Sequence, residues 1–154
     1  MATTTRATRE CSLNELNPAL RDAMRAIATE HAMGDLETSI LMCCETTSKS
    51  RKKGVFGGME DSISAVFVTP TWLVWAESTN TNAAQIGAAK LRQIEVRDYE
   101  STAMNAVTPD MGLNVTGRYT SVQKTGITFI ALDTGPAGKK FRQVLSEARK
   151  KVSS

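Results

Sequence analysis

The residues most able to act on a partner by charge fall in two clusters. Lys49, Arg51, Lys52 and Lys53 place four cations within five residues, just ahead of Gly54, Gly57 and Gly58. Such a cluster creates a local field suited to an anionic lipid headgroup or a phosphate, at about 1 kcal/mol per cation near an anionic membrane. The second cluster lies near the C-terminus, where Lys139, Lys140, Arg142, Arg149, Lys150 and Lys151 share a segment with one acid, Glu147. From it, Lys139, Lys140, Arg142 and Arg149 form a candidate surface for an acidic protein partner. No aromatic side chain is interleaved there for base stacking, which argues against nucleic acid.

Bond-making chemistry is poorly supplied. A nucleophile needs a base, and a metal needs a ligand cluster. His31 is the single histidine, and its place at the end of a helical stretch suits a C-terminal cap. Cys11, Cys43 and Cys44 cannot all pair internally and lack Cys-x-x-Cys spacing; Cys43 and Cys44 must point to opposite faces of any strand that holds them. Gly54-Val-Phe-Gly-Gly58 lacks the Lys and Ser or Thr of a phosphate-binding loop. Asp98, Glu100, Asp110 and Asp133 are dispersed among expected strand ends. The expectation is a chain with no catalytic residues, no metal and no cofactor. Its cysteines are expected to be reduced thiols in the cytoplasm.

The elements that position these groups follow from length and periodicity. With 154 residues, the chain fits a single domain. A hydrophobic content of 41%, a charged content of 23% and the absence of an apolar run near membrane length are those of a soluble globule. The formal charge of +3 is mild. Residues 1–11, rich in Thr and Arg, read as a flexible tail, and residues 12–34 as an N-terminal helix. That helix has two candidate starts, the capping-box spacing of Ser12 and Glu15 and the pair Asn17-Pro18. Leu16, Leu20, Met24 and Ile27 supply its apolar stripe. Strands are expected from Leu36 to Glu45, Ile63 to Val68 and Trp72 to Ala76, the last two joined by the turn Thr69-Pro70-Thr71. Alternation then breaks between Leu91 and Ile94, as at a bulge or a crossing between sheets. Residues 104–107 and 113–119 read as strands, Lys124-Thr-Gly126 as a turn, and Ile127 to Leu132 as the clearest strand. A final helix over 136–152 carries Phe141, Val144, Leu145, Ala148 and Val152 on one stripe.

Short strands followed by one amphipathic helix suggest an open barrel plugged at one end. Three segments carry a more specific likeness: Ala65-Val-Phe-Val-Thr-Pro-Thr-Trp-Leu-Val-Trp75, Lys90-Leu-Arg-Gln-Ile-Glu-Val-Arg97, and Ile127-Thr-Phe-Ile-Ala-Leu132 running into the Phe141 helix. In these the chain resembles the pleckstrin-homology-like (PH-like) superfold in its bacterial and GRAM-like versions. The resemblance implies a mainly β fold with α over residues 35–154, with seven strands in a partly open barrel or two orthogonal sheets, capped by the C-terminal helix. A small β-sandwich with flanking helices is the alternative. The N-terminal helix is an addition to the pattern. It further implies a non-catalytic binding or scaffolding domain acting through a protein partner or a homo-oligomer. Members that bind phosphoinositides use basic residues between their first two strands, where Lys49 to Lys53 lie, so an anionic membrane surface is the second expectation. A small enzyme is the third.

Overall fold

The computed structural model describes residues 4–51, 59–79, 85–107, 109–119 and 124–153. The order is β1 (Thr4–Glu10), a 3-10 turn (Leu13–Glu15), α1 (Pro18–Glu30), α2 (Leu36–Ser39), β2 (Met42–Arg51), β3 (Met59–Val68), β4 (Trp72–Thr79), β5 (Gln85–Lys90), a 3-10 turn (Leu91–Gln93), β6 (Ile94–Asp98), a 3-10 turn (Tyr99–Ser101), α3 (Met104–Val107), β7 (Gly112–Tyr119), β8 (Lys124–Ala131) and α4 (Pro136–Ser153). All pairing is antiparallel, in a five-stranded sheet ordered β1-β2-β3-β4-β5 and a three-stranded sheet ordered β6-β7-β8. The fold is thus mainly β with α, in two separate ladders among the described residues and not one closed barrel.

Both faces of the five-stranded sheet are covered, because successive side chains in its central strands are apolar on both parities. Met42, Cys44, Val66, Val68 and Leu73 face the second sheet and α4, joining Leu113, Val115, Leu132, Phe141 and Leu145 in one core. Cys43, Ala65, Phe67, Trp72 and Val74 face the other way, packing under Leu16, Leu20, Met24 and Ile27. The α1 stripe expected from the sequence therefore has an intramolecular partner. Between β3 and β4, Thr69 Oγ1 accepts from the N–H groups of Thr71 and Trp72 at 3.2 and 2.9 Å, which closes the predicted turn.

Several expectations change in the folded chain. Residues 4–10 of the expected tail form an edge strand, held to β2 along a register from Thr4↔Ser50 to Glu10↔Cys44. The strand has little apolar content to announce it. Polar contacts fix it instead: Arg6 donates to both oxygens of Asp110 at 2.8 and 2.9 Å, and Thr8 exchanges hydrogen bonds with Asp133. The single helix expected over 12–34 is broken at Leu16, which is extended, so both proposed starts are used. Ser12 N–H donates to Glu15 Oε1 at 2.9 Å in the 3-10 turn, and Asn17 Oδ1 caps α1 through Ala19 N–H at 3.0 Å. Residues 36–39 wind into one helical turn capped by Asp35, delaying the strand to Met42. Residues 104–107 are helical, and Lys124 to Gly126 belong to β8. The break between Leu91 and Ile94 is a 3-10 turn, and there the chain leaves the first sheet for the second.

Candidate functional site

The helix α4 forms because Pro136 starts it in the first turn and an apolar stripe recurs over its length. Phe141, Leu145 and Ala148 are buried in the core. Arg142 and Arg149 flank that stripe on one face, seven residues apart, which is close to two full turns and about 10 Å. Beside them runs β6, an edge strand that among the described residues pairs only with β7.

Each arginine reaches one end of β6. Arg142 Nε lies 3.4 Å from Asp98 Oδ1, and its Nη2 donates to Glu100 Oε1 at 2.9 Å and to Leu132 O at 3.3 Å. Arg149 Nη2 donates to Ile94 O at 3.1 Å. A groove of about 220 Å³ lies between helix and strand, lined by Val96, Asp98, Leu113, Arg142, Leu145 and Arg149. Val96, Leu113 and Leu145 give it apolar lining; at one end Arg142 is paired with Asp98 and Glu100, and at the other stands Arg149.

Two features leave this groove chemically incomplete. The Nε atoms of Arg142 and Arg149 are both buried and make no hydrogen bond among the described residues. Leaving a buried donor unmet costs about 1–3 kcal/mol. Arg142 still faces two carboxylates, whereas no carboxylate of the described residues lies within ion-pair distance of Arg149. The second feature is the strand edge. Ile94 O points away from β7 to reach Arg149, and alternation in an antiparallel ladder turns the N–H and C=O of Val96 the same way. An edge of this kind is a template for a further strand.

The candidate partner-binding residues separate here. Arg142 and Arg149 line the groove, Lys140 instead pairs with Glu10 of β1 at 2.9 Å, and Lys139 is exposed. Val96 was not singled out as a site from sequence, and Asp98 was read only as a dispersed acid near a strand end; the break in alternation at Leu91 to Ile94 marked the sheet crossing that makes β6 an edge. Of the first cluster, Lys49 and Arg51 lie in β2 and not in a loop, and Lys49 is exposed opposite Thr5 and Asp61. Lys52, Lys53 and the glycines 54, 57 and 58 lie outside the described residues. Of that cluster, the described Lys49 side chain does not line the groove.

The remaining reactive residues do not converge on this groove. His31 caps α1 and packs on Trp72, with ring centroids 5.8 Å apart. Among the described residues no group of three or more His, Cys, Asp and Glu is placed to hold a metal ion. None of the described helices is long and apolar enough to cross a membrane. Comparison with family models, with curated proteins and with solved structures finds no match for this chain.

Proposed function

We propose that this chain is a non-catalytic binding module of PH-like architecture that captures an extended segment of a protein partner on the open edge of β6. Two sheets joined at a crossing turn, with a C-terminal helix against the core, support the PH-like reading. The observation that carries the binding role is the groove itself: an unpaired strand edge beside two arginines with buried, unmet Nε–H donors. An added strand satisfies backbone groups, and an acidic side chain in it complements Arg149. Three free thiols suit a reducing compartment such as the cytoplasm.

Substitution of Val96 by Pro tests the mode. Its N–H faces away from β7, so proline removes the donor an incoming strand uses and spares the ladder. Equilibrium binding to an immobilised library of extended peptides, each with one Asp, Glu, Lys or neutral residue, is expected to select acidic members. Val96→Pro and Arg149→Ala are each expected to weaken that binding at least tenfold. Selection of basic members, or unchanged binding by both variants, overturns the proposal. Vesicle sedimentation with phosphatidylserine separates the lipid reading: strong binding lost in Lys49→Glu, with no peptide selected, would favour the membrane surface instead.

A further inference from the structure

We propose that Cys11 and Cys43 form a peroxide-sensitive thiol pair that closes to an intramolecular disulfide. Cys11 follows β1 and continues its register, since Glu10 pairs with Cys44 and Cys11 N–H donates to Cys43 O at 3.0 Å. Directly opposed residues in a hydrogen-bonded antiparallel pair have Cα atoms about 5.5 Å apart, within the roughly 4.4–6.8 Å that a disulfide spans. The register puts the two side chains on the same face of the sheet, and both line one hollow. Opposed Cβ atoms stand about 4.5–5.5 Å apart, so a small local shift brings them within the roughly 3.5–4.5 Å that a disulfide needs.

The two thiols differ as an attacking and a resolving group should. Cys11 is half-buried, whereas Cys43 is 2% exposed. Both line a hollow of about 230 Å³ bounded by Leu36, Glu37 and Leu41, large enough for a small oxidant. The Cys43 thiol holds the Cys11 sulfur below the ordinary thiol range, with the Arg9 charge acting in the same sense. Cys43 is itself pushed up by the neighbouring Cys11 sulfur and by burial, and so stays protonated. Cys44 points into the other core, and burial pushes it up to about 12. It takes no part.

Hydrogen peroxide is the oxidant. The Cys11 thiolate attacks one peroxide oxygen, the O–O bond breaks, and the departing hydroxide takes a proton to leave as water. Cys11 is then a sulfenic acid. The Cys43 sulfur attacks the Cys11 sulfur, the S–O bond breaks, and the hydroxyl leaves as water with the Cys43 proton. In sum, two thiols and one peroxide give one disulfide and two waters. A dithiol reductant reverses the change by exchange. The closed loop contains all of α1, so oxidation ties the helix layer to β2 and limits the unfolded chain.

Peptide mapping without reductant, after treatment of the whole protein with equimolar hydrogen peroxide, tests this directly. The expected product is an intramolecular Cys11–Cys43 link, with a rise of several degrees in unfolding midpoint that dithiothreitol abolishes. Cys11→Ser is expected to leave Cys43 unoxidised, and Cys43→Ala to leave a Cys11 sulfenic acid that dimedone traps. Because Cys43→Ala alters the core, circular dichroism of each variant accompanies the mapping, and the wild-type link stands as an independent reading. Linkage to Cys44, links only between molecules, or a persistent Cys11 sulfenic acid in the wild-type protein would overturn the proposal.

Discussion

Glu45 shows how one side chain joins three elements. It is 7% exposed, accepts from Arg9 Nε and Nη2 at 3.1 and 2.9 Å, and accepts from Asn17 N–H at 2.7 Å. It thereby ties β2 to β1 and to the start of α1, and it holds the Arg9 guanidinium above its ordinary value by that hydrogen bond. Substitution Glu45→Ala is expected to destabilise by about 2 kcal/mol, read from urea unfolding, since hydrogen bonds to charged groups are worth roughly 1.5–3 kcal/mol and Arg9 remains half exposed. Glu15 gives a pH signature. The Ser12 N–H holds its carboxyl below the ordinary range, so its contribution is present above the unfolded-state value and is lost as pH falls through the depressed folded value. The stability difference between the wild type and Glu15→Gln should therefore shrink to nothing in acid and be constant from neutral pH upward. Cysteine spacing in the sequence indicated thiols and opposite faces for Cys43 and Cys44, which the two cores show. It gave no sign of Cys11 opposite Cys43, because that contact depends on a strand pairing across 32 residues of chain.

At the scale of elements, apolar periodicity was a dependable guide wherever packing on a core decides the structure. The β3–β4 hairpin, the crossing near Leu91, and the stripes of α1 and α4 all follow from it. It missed β1, whose register rests on Arg6, Thr8 and their distant carboxylate partners, groups with no periodic signature. It also placed Lys49 and Arg51 in a loop, since a polar, basic run resembles a loop when hydropathy alone is read, although this end of β2 lies in the sheet. The start of α4 offers a test in which two effects oppose each other. Alanine is favoured over glycine in a helix by about 1 kcal/mol, yet a Cβ on Gly138 would run into the backbone carbonyl of Asp133. Overpacking against backbone costs about 1–3 kcal/mol, so Gly138→Ala is expected to lower the unfolding midpoint. A rise would mean that this end of α4 has room to shift.

For the molecule as a whole, the five-stranded sheet is a shared wall between two cores. Leu20 of α1 and Phe141 of α4 are both fully buried, on opposite sides of it. Truncation of either to Ala should cost about 2–5 kcal/mol, and because the two sites share no partners the losses should add in the double variant. This arrangement leaves β6, at the edge of the smaller sheet, as the strand beside the arginine-lined groove. The pairing of Arg142 and Arg149 was half legible, as part of a cationic helix face; their meeting with β6 was not, because it depends on how two sheets and a helix pack. The central claim is that an acidic extended segment adds to this edge. Backbone amide NMR during titration with the acid-bearing peptides reads it most directly. The expected result is a set of saturable shifts centred on Val96 and its neighbours in β6, with Arg149 Nε–H shifting in step, and all of them absent in Arg149→Ala. Shifts that centre on β2 around Lys49, or that leave Val96 unmoved with every peptide, would contradict it.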